Sequence, residues 1–477
     1  MPELSPRRQM LVLAICCMSL FIVGVDVTIV NVALPTISKD FHAPVSGLQW
    51  IMDAYTLVLA SFLMLGGSTA DRIGRRRVFQ TGLVVFTLGS LLCSVAPSLG
   101  WLVGARIMQA LGGSMLNPVA MSIITNTFTD PRKRARAIGV WGAVFGLSMA
   151  LGPVLGGVLV TTFSWRAIFF VNVPVGIAAI ILAGLFVPES KAPRARRIDP
   201  VGQVLIIVLL ASATYAIIEG PRRGWSSPVI LTLFVVAVAA VLTLVRYESR
   251  REEPLLDPRF FRSTPFAGAT VIAVCAFMAV GGFLFLNTLY LQDARGFSAL
   301  HAGLLTLPMA AANLVASVLS GRLVASHGPR VPLVSAAVFL LAAGLLMTTF
   351  TPATSLYVVA VGYVLAGLAF GLVNSPITNT AVSGMPRTQA GVAAAVTSTS
   401  RQVGSSLGVA VFGSVVASGG SFTGASQICW WLVVGCAVVI GSLGIITTGR
   451  RARASAERTA AVFAPAAAAA KTEMAVS

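Results

Sequence analysis

Long apolar stretches recur along almost all of this 477-residue sequence and constrain its fold more than any other feature. Charged or turn-rich breaks separate fourteen of them. They lie at about 10-33, 46-68, 78-97, 100-125, 137-160, 166-187, 200-219, 228-245, 265-290, 302-324, 331-350, 355-380, 391-418 and 427-448. Because the hydrocarbon core of a bilayer takes about 20 apolar residues per helical crossing, each stretch predicts one membrane-spanning helix. We therefore predict an all-α, polytopic membrane protein with 14 transmembrane helices.

The composition excludes other classes of protein. Hydrophobic residues make up 56% of the chain and charged residues only 10%, whereas a soluble globular protein carries about 25% charged residues. A disordered chain needs low hydrophobicity, which this sequence lacks. The six cysteines are too few for a disulfide scaffold and lie inside apolar stretches without metal-ligand spacing. They are interpreted as small hydrophobic side chains, and no metal site is predicted.

The basic residues orient the chain. Lys and Arg number 34 against 16 Asp and Glu, which gives a net charge of +18. With the N-terminus in the cytoplasm, 27 basic residues fall in inner segments and five in outer segments, while Arg106 and Arg401 lie within helices. The positive-inside rule then places both termini in the cytoplasm and requires an even number of spans. The arginine clusters are therefore interpreted as loop ends that set the topology, not as nucleic-acid-binding surfaces.

Two short motifs repeat at almost the same spacing. Gly67-x6-Gly74-x-Arg76 returns 254 residues later as Gly321-x6-Gly328-x-Arg330, and Pro131-Arg132-x-x-Ala135 returns 255 residues later as Pro386-Arg387-x-x-Ala390. Duplicated halves with two inserted helices explain both spacings. Repeated membrane halves imply a binding site near the midplane, between the halves, and alternating access by rocking of one half on the other.

The domain boundaries follow from this repeat. We predict a cytoplasmic N-terminus at 1-9, an N-terminal six-helix bundle at 10-187, a linker at 188-264 with inserted helices at about 200-219 and 228-245, a C-terminal six-helix bundle at 265-448, and a tail at 449-477. The tail is Ala-rich after its arginines and has little to pack with, so it is predicted to be a flexible cytoplasmic end.

Ionisable residues inside the spans are the first functional candidates, because a charge at the helix centre costs about 2.5-3.5 kcal/mol. Asp26 lies near the middle of the first predicted helix. Burial disfavours the charged form of a carboxylate, so Asp26 can take up a proton and release it when a cation approaches. The alternative is a permanently paired Asp26 that only fixes helix packing.

Two further charges extend this set. Arg106 is the only basic residue deep in the N-terminal half, and a guanidinium cannot lose its proton, so it must find carboxylate, carbonyl or water partners. It either tunes a nearby acid or forms a purely structural pair. Asp53 lies near the outer end of the second predicted helix, where it either takes part in coupling or is kept ionised by water.

Two segments rich in glycine have special spacing. Gly67, Asp71, Arg72, Gly74, Arg75 and Arg76 form a sharp turn after the second predicted helix. Its carboxylate can pair with the arginines or approach a helix N-terminus, as a latch on the cytoplasmic side; the alternative is a loop that only sets topology. Gly146, Gly152, Pro153, Gly156 and Gly157 lie in the fifth predicted helix. Glycines allow close helix approach and Pro153 favours a kink, for which generic packing is a sufficient explanation.

Together these residues resemble the major facilitator superfamily, and more narrowly its fourteen-helix drug:proton antiporters. The resemblance extends to about residue 448. The matching positions are Asp26, Thr28, Asn31, Ala33, Leu34 and Pro35 in the first helix; Arg106, Gln109 and Gly112 in the fourth; the glycine-rich loop and fifth-helix residues above; Trp165, Arg166, Phe169, Phe170, Asn172 and Pro174; and Arg401, Gln402, Val403 and Gly404. The resemblance implies that Asp26 carries the proton, that Arg106 tunes it, that the loop gates the inner side and that the fifth helix sets the direction of exchange. The coupling role of Asp53 is a prediction from its position in the second helix alone.

Two departures from the family pattern matter. The glycine that usually follows Gln109 is Ala110, and the last five predicted helices contain no Asp or Glu. Their absence favours monocationic, neutral or weakly acidic lipophilic substrates over divalent cations. Candidate cavity residues are Asn31, Tyr55, Gln109, Trp141, Asn172, Phe283, Asn287, Tyr290, Asn374 and Arg401.

The resemblance implies an exporter of lipophilic or monocationic drugs in the bacterial cytoplasmic membrane. It is expected to exchange protons for a small amphipathic substrate, to act as a monomer surrounded by lipid, and to need no cofactor beyond the proton gradient. The nearest alternative is an exporter of one specific metabolite, such as a self-made antibiotic, a siderophore or a sugar. A membrane-embedded enzyme is a distant alternative, since the sequence has no HExxH motif, paired catalytic carboxylates or Cys/His site.

Overall fold

A computed structural model describes residues 5-192, 199-251, 254, 256-385 and 389-476, and within these ranges the regular structure is entirely helical. The N-terminal half contains α1 (Pro6–Phe41), α2 (Val45–Ile73), α3 (Arg75–Ser94), α4 (Leu99–Thr127), α5 (Pro131–Thr162), α6 (Ala167–Phe170) and α7 (Asn172–Phe186). The helices α8 (Pro200–Arg223) and α9 (Pro228–Glu248) follow, and then a 3-10 helix, Pro258–Arg262.

The C-terminal half repeats the arrangement. It contains α10 (Thr264–Leu289) with a π-helical turn (Tyr290–Ala294), α11 (Ala299–Leu305), α12 (Leu307–His327), α13 (Arg330–Met347), α14 (Leu356–Ser383), α15 (Ala390–Ala417) and α16 (Phe422–Ile446). A last helix, α17 (Arg450–Val476), follows. We call the side of the membrane that carries the α1–α2 connection the outer side, and the opposite side the inner side.

Thirteen helical segments in the described part of the chain are long and apolar enough to cross a bilayer. The helix α15 falls outside this set because Arg401, Gln402 and several hydroxyl residues lower its hydropathy. It is 28 residues long and packs against α2 and α10, so protein surrounds much of it. Counted with α15, the helices agree with the predicted fourteen, and the predicted all-α membrane fold is confirmed.

The first helix is longer than predicted. It continues through Pro35 to Phe41, whereas the apolar stretch was predicted to end at residue 33. Proline removes a backbone donor, but inside a membrane protein neighbouring side chains satisfy the carbonyl groups near it. Pro35 leaves the carbonyl of Asn31 without its helical donor, and Gln292 of the C-terminal half donates a hydrogen bond of 2.8 Å to the adjacent carbonyl, that of Val32.

One of the two repeated motifs forms the same kind of turn in both halves. Gly74 ends α2 with φ at 128°, and Gly328 ends α12 with φ at 76°. Glycine adopts such positive φ values without the steric cost that other residues carry. The second pair of the repeat, at Pro386 and Arg387, lies outside the described residues.

The halves meet near their outer ends and separate along α5 toward the inner side. Gln49 of α2 donates to the carbonyl of Ala410 of α15 at 2.7 Å. A Cβ added to Gly157 in the outer half of α5 would lie 2.7 Å from the carbonyl oxygen of Ala299 in α11. Nearer the inner end of α5, a Cβ added to Gly142 would have no atom within 4 Å. The two halves are therefore packed together at the outer side of this seam, and the inner half of α5 is uncovered, since most residues from 132 to 147 are exposed or partly exposed.

The inserted helix α8 covers the seam between α2 and α15. Near its outer end, the buried Glu219 accepts a hydrogen bond of 3.3 Å from the indole of Trp50 in α2. Near its inner end, Gln203 donates to the carbonyl of Ser61 at 2.6 Å. The two inserted helices thus pack on one side of the molecule and leave the α5 side uncovered.

The tail corrects one prediction. Residues 450-463, predicted to be flexible with little to pack against, form the first half of α17. Its buried residues are Ala452, Ser455, Thr459 and Phe463. This spacing of three or four residues places them on one helix face. Phe463 packs on Phe260 with ring centroids 5.3 Å apart, and Ser455 donates to Thr264 at 2.9 Å. The packed face of α17 could not be recognised from hydropathy, because three of its four buried residues are small or carry a hydroxyl group.

Phe463→Ala is expected to loosen α17, because truncating a packed Phe costs about 3-5 kcal/mol. Limited trypsin digestion should then cleave the tail at Arg450–Arg458 at least about a hundredfold faster than in the wild type, since cleavage requires local opening and each 1.4 kcal/mol is a factor of about ten. Val462→Ala is the matched control, because Val462 is 45% exposed. Equal cleavage rates in the two variants would contradict the docking of α17.

Candidate functional site

A buried ion pair joins the middle of α1 to α4. Asp26 and Arg106 are both 0% exposed, and Nη1 of Arg106 lies 2.5 Å from Oδ2 of Asp26. Arg106 Nε donates to the carbonyl of Ile51 at 3.2 Å, and its guanidinium lies 4.0 Å from the ring centroid of Tyr55. The carbonyl, carboxylate and ring partners meet the requirement that a buried guanidinium be paired.

Two amides complete the environment of Asp26. Gln109 Nε2 donates to Oδ1 of Asp26 at 2.7 Å and to the hydroxyl of Ser90 at 2.8 Å. Asn172 Nδ2 donates to the same Oδ1 at 3.2 Å. Arg106 and these two amides all donate to the carboxylate, and such hydrogen bonds stabilise its charged form. The arrangement therefore surrounds the buried carboxylate of Asp26 with three donor side chains.

The structure thus brings together residues that the sequence analysis assigned to different roles. Tyr55, Gln109 and Asn172, predicted for a substrate cavity, instead lie around the Asp26–Arg106 pair. Ser90 of α3 was not predicted. A lone serine in an apolar helix gives no signal of the direction in which it points.

Asp53 of α2 lies in a separate buried position between the two halves. It is 0% exposed, accepts a hydrogen bond of 3.3 Å from Thr56, and has the hydroxyl of Ser406 of α15 beside it. Within the described ranges no cation pairs with it. The interpretation that water surrounds Asp53 does not hold in this conformation, because α15 covers that face of α2.

The inner loop between α2 and α3 is held by the N-terminal half itself. Asp71 pairs with Arg75 at 2.9 Å. The carboxylate of Glu189, just after α7, accepts from the backbone N–H of Arg76 at 3.1 Å and lies 3.8 Å from Nε of Arg77. Negative charge at a helix N-terminus is favourable, and here Glu189, not Asp71, supplies it to α3.

Two other residues of the predicted loop motif, Gly67 and Arg72, have simpler surroundings. Arg72 is exposed, and Gly67 of α2 faces Pro118 of α4 at an ordinary contact distance of 3.6 Å. Glu189 itself was missed by the sequence analysis. Its only signal is its position directly after the sixth predicted helix, next to Pro188.

The small residues of α5 contact two different helices. A Cβ on Gly152 would lie 1.9 Å from Oγ1 of Thr28, so glycine is required where α5 packs on α1. Gly156 contacts Ile29 on the same helix. Gly157 contacts α11, where Gly303 in turn packs on the carbonyl of Pro153. Gly146 lies farther in, with Leu314 of α12 at an ordinary contact distance of 3.5 Å. The outer half of α5 therefore joins the N-terminal half to the C-terminal half.

Three of the predicted cavity residues pack inside the C-terminal half. Phe283 contacts Tyr363, Phe370 and Trp430. Asn287 accepts a hydrogen bond from Tyr363, and Tyr290 stacks on Phe350 and donates to the carbonyl of Thr351. These contacts make the three residues part of a packed core in this conformation, away from the Asp26 cluster.

The remaining cavity candidates lie on separate helices. Asn31 donates to the carbonyl of Val27 within α1 at 3.1 Å, and Trp141 is partly buried on the inner half of α5. Asn374 of α14 and Arg401 of α15 do meet, since Nη2 of Arg401 donates to the carbonyl of Asn374 at 3.1 Å.

The sequence matches the profile of the Major Facilitator Superfamily over residues 16-409, which is most of the chain. The chain belongs to this superfamily. It is 40% identical over 412 residues to the multidrug resistance protein Stp of Mycobacterium tuberculosis, covering 86% of this chain and 76% of Stp. It is 36% identical over 418 residues to the methylenomycin A resistance protein of Streptomyces coelicolor, covering 88% of each chain.

Solved structures agree on the fold of this major facilitator protein. A bacterial homologue of the human lysosomal transporter Spinster, in an inward-facing and unoccupied conformation, superposes with a TM-score of 0.64. The match covers 96% of this chain and 99% of that one at 18% identity, which supports the fold alone. Superfamily membership makes the chain a multi-pass membrane transporter and not an enzyme, and it confirms the resemblance drawn from the motifs.

Gly157→Val is expected to hinder closure of the outer side of this transporter. The added side chain would overlap Ala299 and Leu300 of α11, and overpacking typically costs about 1-3 kcal/mol. Transport should fall about tenfold. Spin labels at the exposed outer positions Phe163 and Tyr357, in a background without the native cysteines, should report a longer distance.

Gly104→Val is the matched control for this prediction, because a Cβ added to Gly104 in the outer half of α4 would have no atom within 4 Å, and Gly104 is exposed away from the α5–α11 contact. It should leave both transport and the label distance close to the wild type. A Gly157→Val variant that transports normally would show that the contact between α5 and α11 does not limit the cycle.

Proposed function

We propose that this protein is a proton-coupled antiporter that exports lipophilic or monocationic drugs and antibiotics across the bacterial cytoplasmic membrane by alternating access. The observation that carries the proposal is the Asp26–Arg106 pair, which is fully buried inside the N-terminal half with a separation of 2.5 Å. An ionisable pair at this depth is costly and marks a site of ion or proton handling.

Asp26 carries the proton and Arg106 tunes it. A proton on Asp26 removes its attraction for Arg106, so the pair is held differently in the protonated and unprotonated states. A ligand shifts a conformational equilibrium only if it binds the two conformations with different affinity. Because the strength of the Asp26–Arg106 pair depends on the proton, the proton can bind the two conformations with different affinity. Asp53, buried between the halves without a cation beside it in the described structure, is the second proton site of the proposal.

Two structural elements are assigned to the gates. The outer half of α5, with Gly157 against Ala299, forms the outer seal. The inner loop with Asp71, held by Arg75 and by Glu189, forms a latch that engages the other half when the inner side closes. The open inner seam along α5 is the route by which a lipophilic substrate reaches the cleft.

The proton gradient supplies enough free energy for such export without any bound cofactor. A potential of 100 mV contributes about 2.3 kcal/mol per charge, and one pH unit contributes about 1.4 kcal/mol. Together they correspond to a several-hundred-fold gradient of a neutral solute in a tightly coupled one-for-one exchange. A monomer with both termini in the cytoplasm completes the proposal, in line with the 27 basic residues of the inner segments.

A second candidate is an exporter of one specific compound on the same scaffold. The name of the Streptomyces coelicolor relative, a resistance protein for the single compound methylenomycin A, favours it. The name of the Mycobacterium tuberculosis relative favours broad specificity.

Transport in proteoliposomes with an imposed pH gradient tests the proposal. We expect the substrate to move against its concentration gradient only when the pH gradient is present. We also expect protons to cross the membrane in the opposite direction whenever the substrate is transported. Competition among chemically unrelated compounds would favour the multidrug exporter, and transport of a single compound would favour the second candidate. Substrate movement that ignores the pH gradient would refute proton coupling.

A further inference from the structure

Arg401 is a membrane-embedded charge that the proposed proton pathway does not use. It lies in the inner half of α15, where Nη2 donates to the carbonyl of Asn374 at 3.1 Å and to the hydroxyl of Thr378 at 2.6 Å. Both partners are neutral groups of α14. Its Nε is enclosed and has no acceptor among the described residues. The guanidinium is therefore held in place but its charge is not balanced.

Acidic residues are remote from Arg401 within its own half. Between residues 264 and 446 the only Asp or Glu is Asp293. It lies in the turn at the outer end of α10, 16 residues beyond Phe277, whose ring contacts Arg401. At a rise of 1.5 Å per residue this corresponds to about 24 Å along the helix.

Acids of the N-terminal half do not compensate the charge either. Asp26 is paired with Arg106. Asp53 lies beside Ser406, which is five residues from Arg401 and so about 140° around the helix. In the described part of the chain Arg401 forms no ion pair. It thus differs from Arg106, whose guanidinium meets a carboxylate at 2.5 Å.

The surroundings of Arg401 indicate where its free side points. A guanidinium keeps its charge, and a position facing hydrocarbon is strongly disfavoured. Arg401, Asn374 and Thr378 are each partly exposed and lie side by side on α14 and α15. Charged and polar residues grouped inside a membrane bundle mark a water-filled cavity or a substrate path. The ring of Phe277, 5.6 Å from the guanidinium, adds an apolar surface.

We propose that Arg401, positioned by Asn374 and Thr378, is a binding site for the anionic group of an amphipathic substrate. The substrate class is a lipophilic molecule with one carboxylate or a similar anionic group, because the arginine fork matches a carboxylate with paired hydrogen bonds. The apolar part of the molecule lies against Phe277. The inference rests on the proposed export function and selects, among the proposed lipophilic substrates, those with an anionic group over monocationic ones.

Binding to the purified protein in nanodiscs tests this site without a proton gradient. The probes are three matched naphthalene compounds: 2-naphthoate, its neutral methyl ester, and the cationic 2-naphthylmethylammonium. Empty nanodiscs give the correction for partition into lipid. We expect the wild type to bind 2-naphthoate at least about tenfold more tightly than the ester, and the cation most weakly, because a hydrogen bond between charged groups is stronger than a neutral one.

Variants separate recognition from packing. Arg401→Gln should abolish the preference for the anion while keeping the affinity for the ester within about twofold. Arg401→Lys should retain part of the preference, since the charge remains but the fork is lost. Arg322→Gln removes an exposed arginine at the inner end of α12 and should retain the full preference.

Three outcomes would overturn the anion site. They are equal binding of anion and ester by the wild type, a preserved preference in Arg401→Gln, and an equal loss of all three affinities in Arg401→Gln together with a lower unfolding temperature. The last would make Arg401 a structural tie between α14 and α15. Because binding is measured without a gradient, failure of proton coupling would leave the preference for the anion intact.

Discussion

An Asp26→Asn variant is expected to lose nearly all gradient-driven accumulation of substrate, from several-hundred-fold to about none. Asparagine has almost the shape of aspartate and keeps an oxygen acceptor, but it cannot take up and release a proton at this position. The free energy of the proton gradient then has no route to the substrate. The measurement compares accumulation by wild-type and variant proteoliposomes across one pH unit and a fixed membrane potential.

Counterflow separates coupling from folding. Exchange of labelled for unlabelled substrate needs a folded, moving transporter but no gradient, so the Asp26→Asn variant should retain it. Asp40→Asn is the matched control, because Asp40 at the outer end of α1 is exposed and pairs with Arg166 at 3.1 Å. Exposed pairs contribute about 0-1 kcal/mol, so this variant should accumulate substrate normally. Gradient-driven accumulation by Asp26→Asn would assign the proton to another residue.

The helices and the two buried charges Asp26 and Arg106 could be predicted from the sequence for a physical reason. A bilayer sets both the length and the polarity of a span, so α2, predicted at 46-68, is found at Val45–Ile73. The cost of a charge in hydrocarbon limits the possible partners of Asp26, and Arg106 was the only basic residue deep in the same half. The contact between Asp26 and Arg106 is itself a finding of the structure.

The sequence could not predict which side of an apolar helix faces lipid and which side faces the protein. Lipid and protein interior are both apolar, so a helix between them lacks the alternation of polar and apolar faces found in soluble proteins. Phe283 and Tyr290 were predicted for the cavity and are found in the core of the C-terminal half. Ser90 and Asn172 belong to helices brought together only by tertiary packing. The docked face of α17, made of small and hydroxyl residues, escaped detection for a related reason.

Replacing Arg106 with Met is expected to have the largest effect on stability. Methionine matches much of the length of the side chain but leaves Asp26 buried without a cation, and removal of one partner of a buried pair costs about 3-5 kcal/mol. The Asp26→Asn, Arg106→Met double variant removes both charges and should recover most of that loss. The thermal unfolding midpoints of the two single variants, the double variant and the wild type, at one scan rate, form a double-mutant cycle.

Recovery of stability in the double variant is the outcome that tests the charge of the pair. If the double variant were as unstable as Arg106→Met, the guanidinium would contribute through packing on Tyr55, 4.0 Å away, and not through the charge of Asp26.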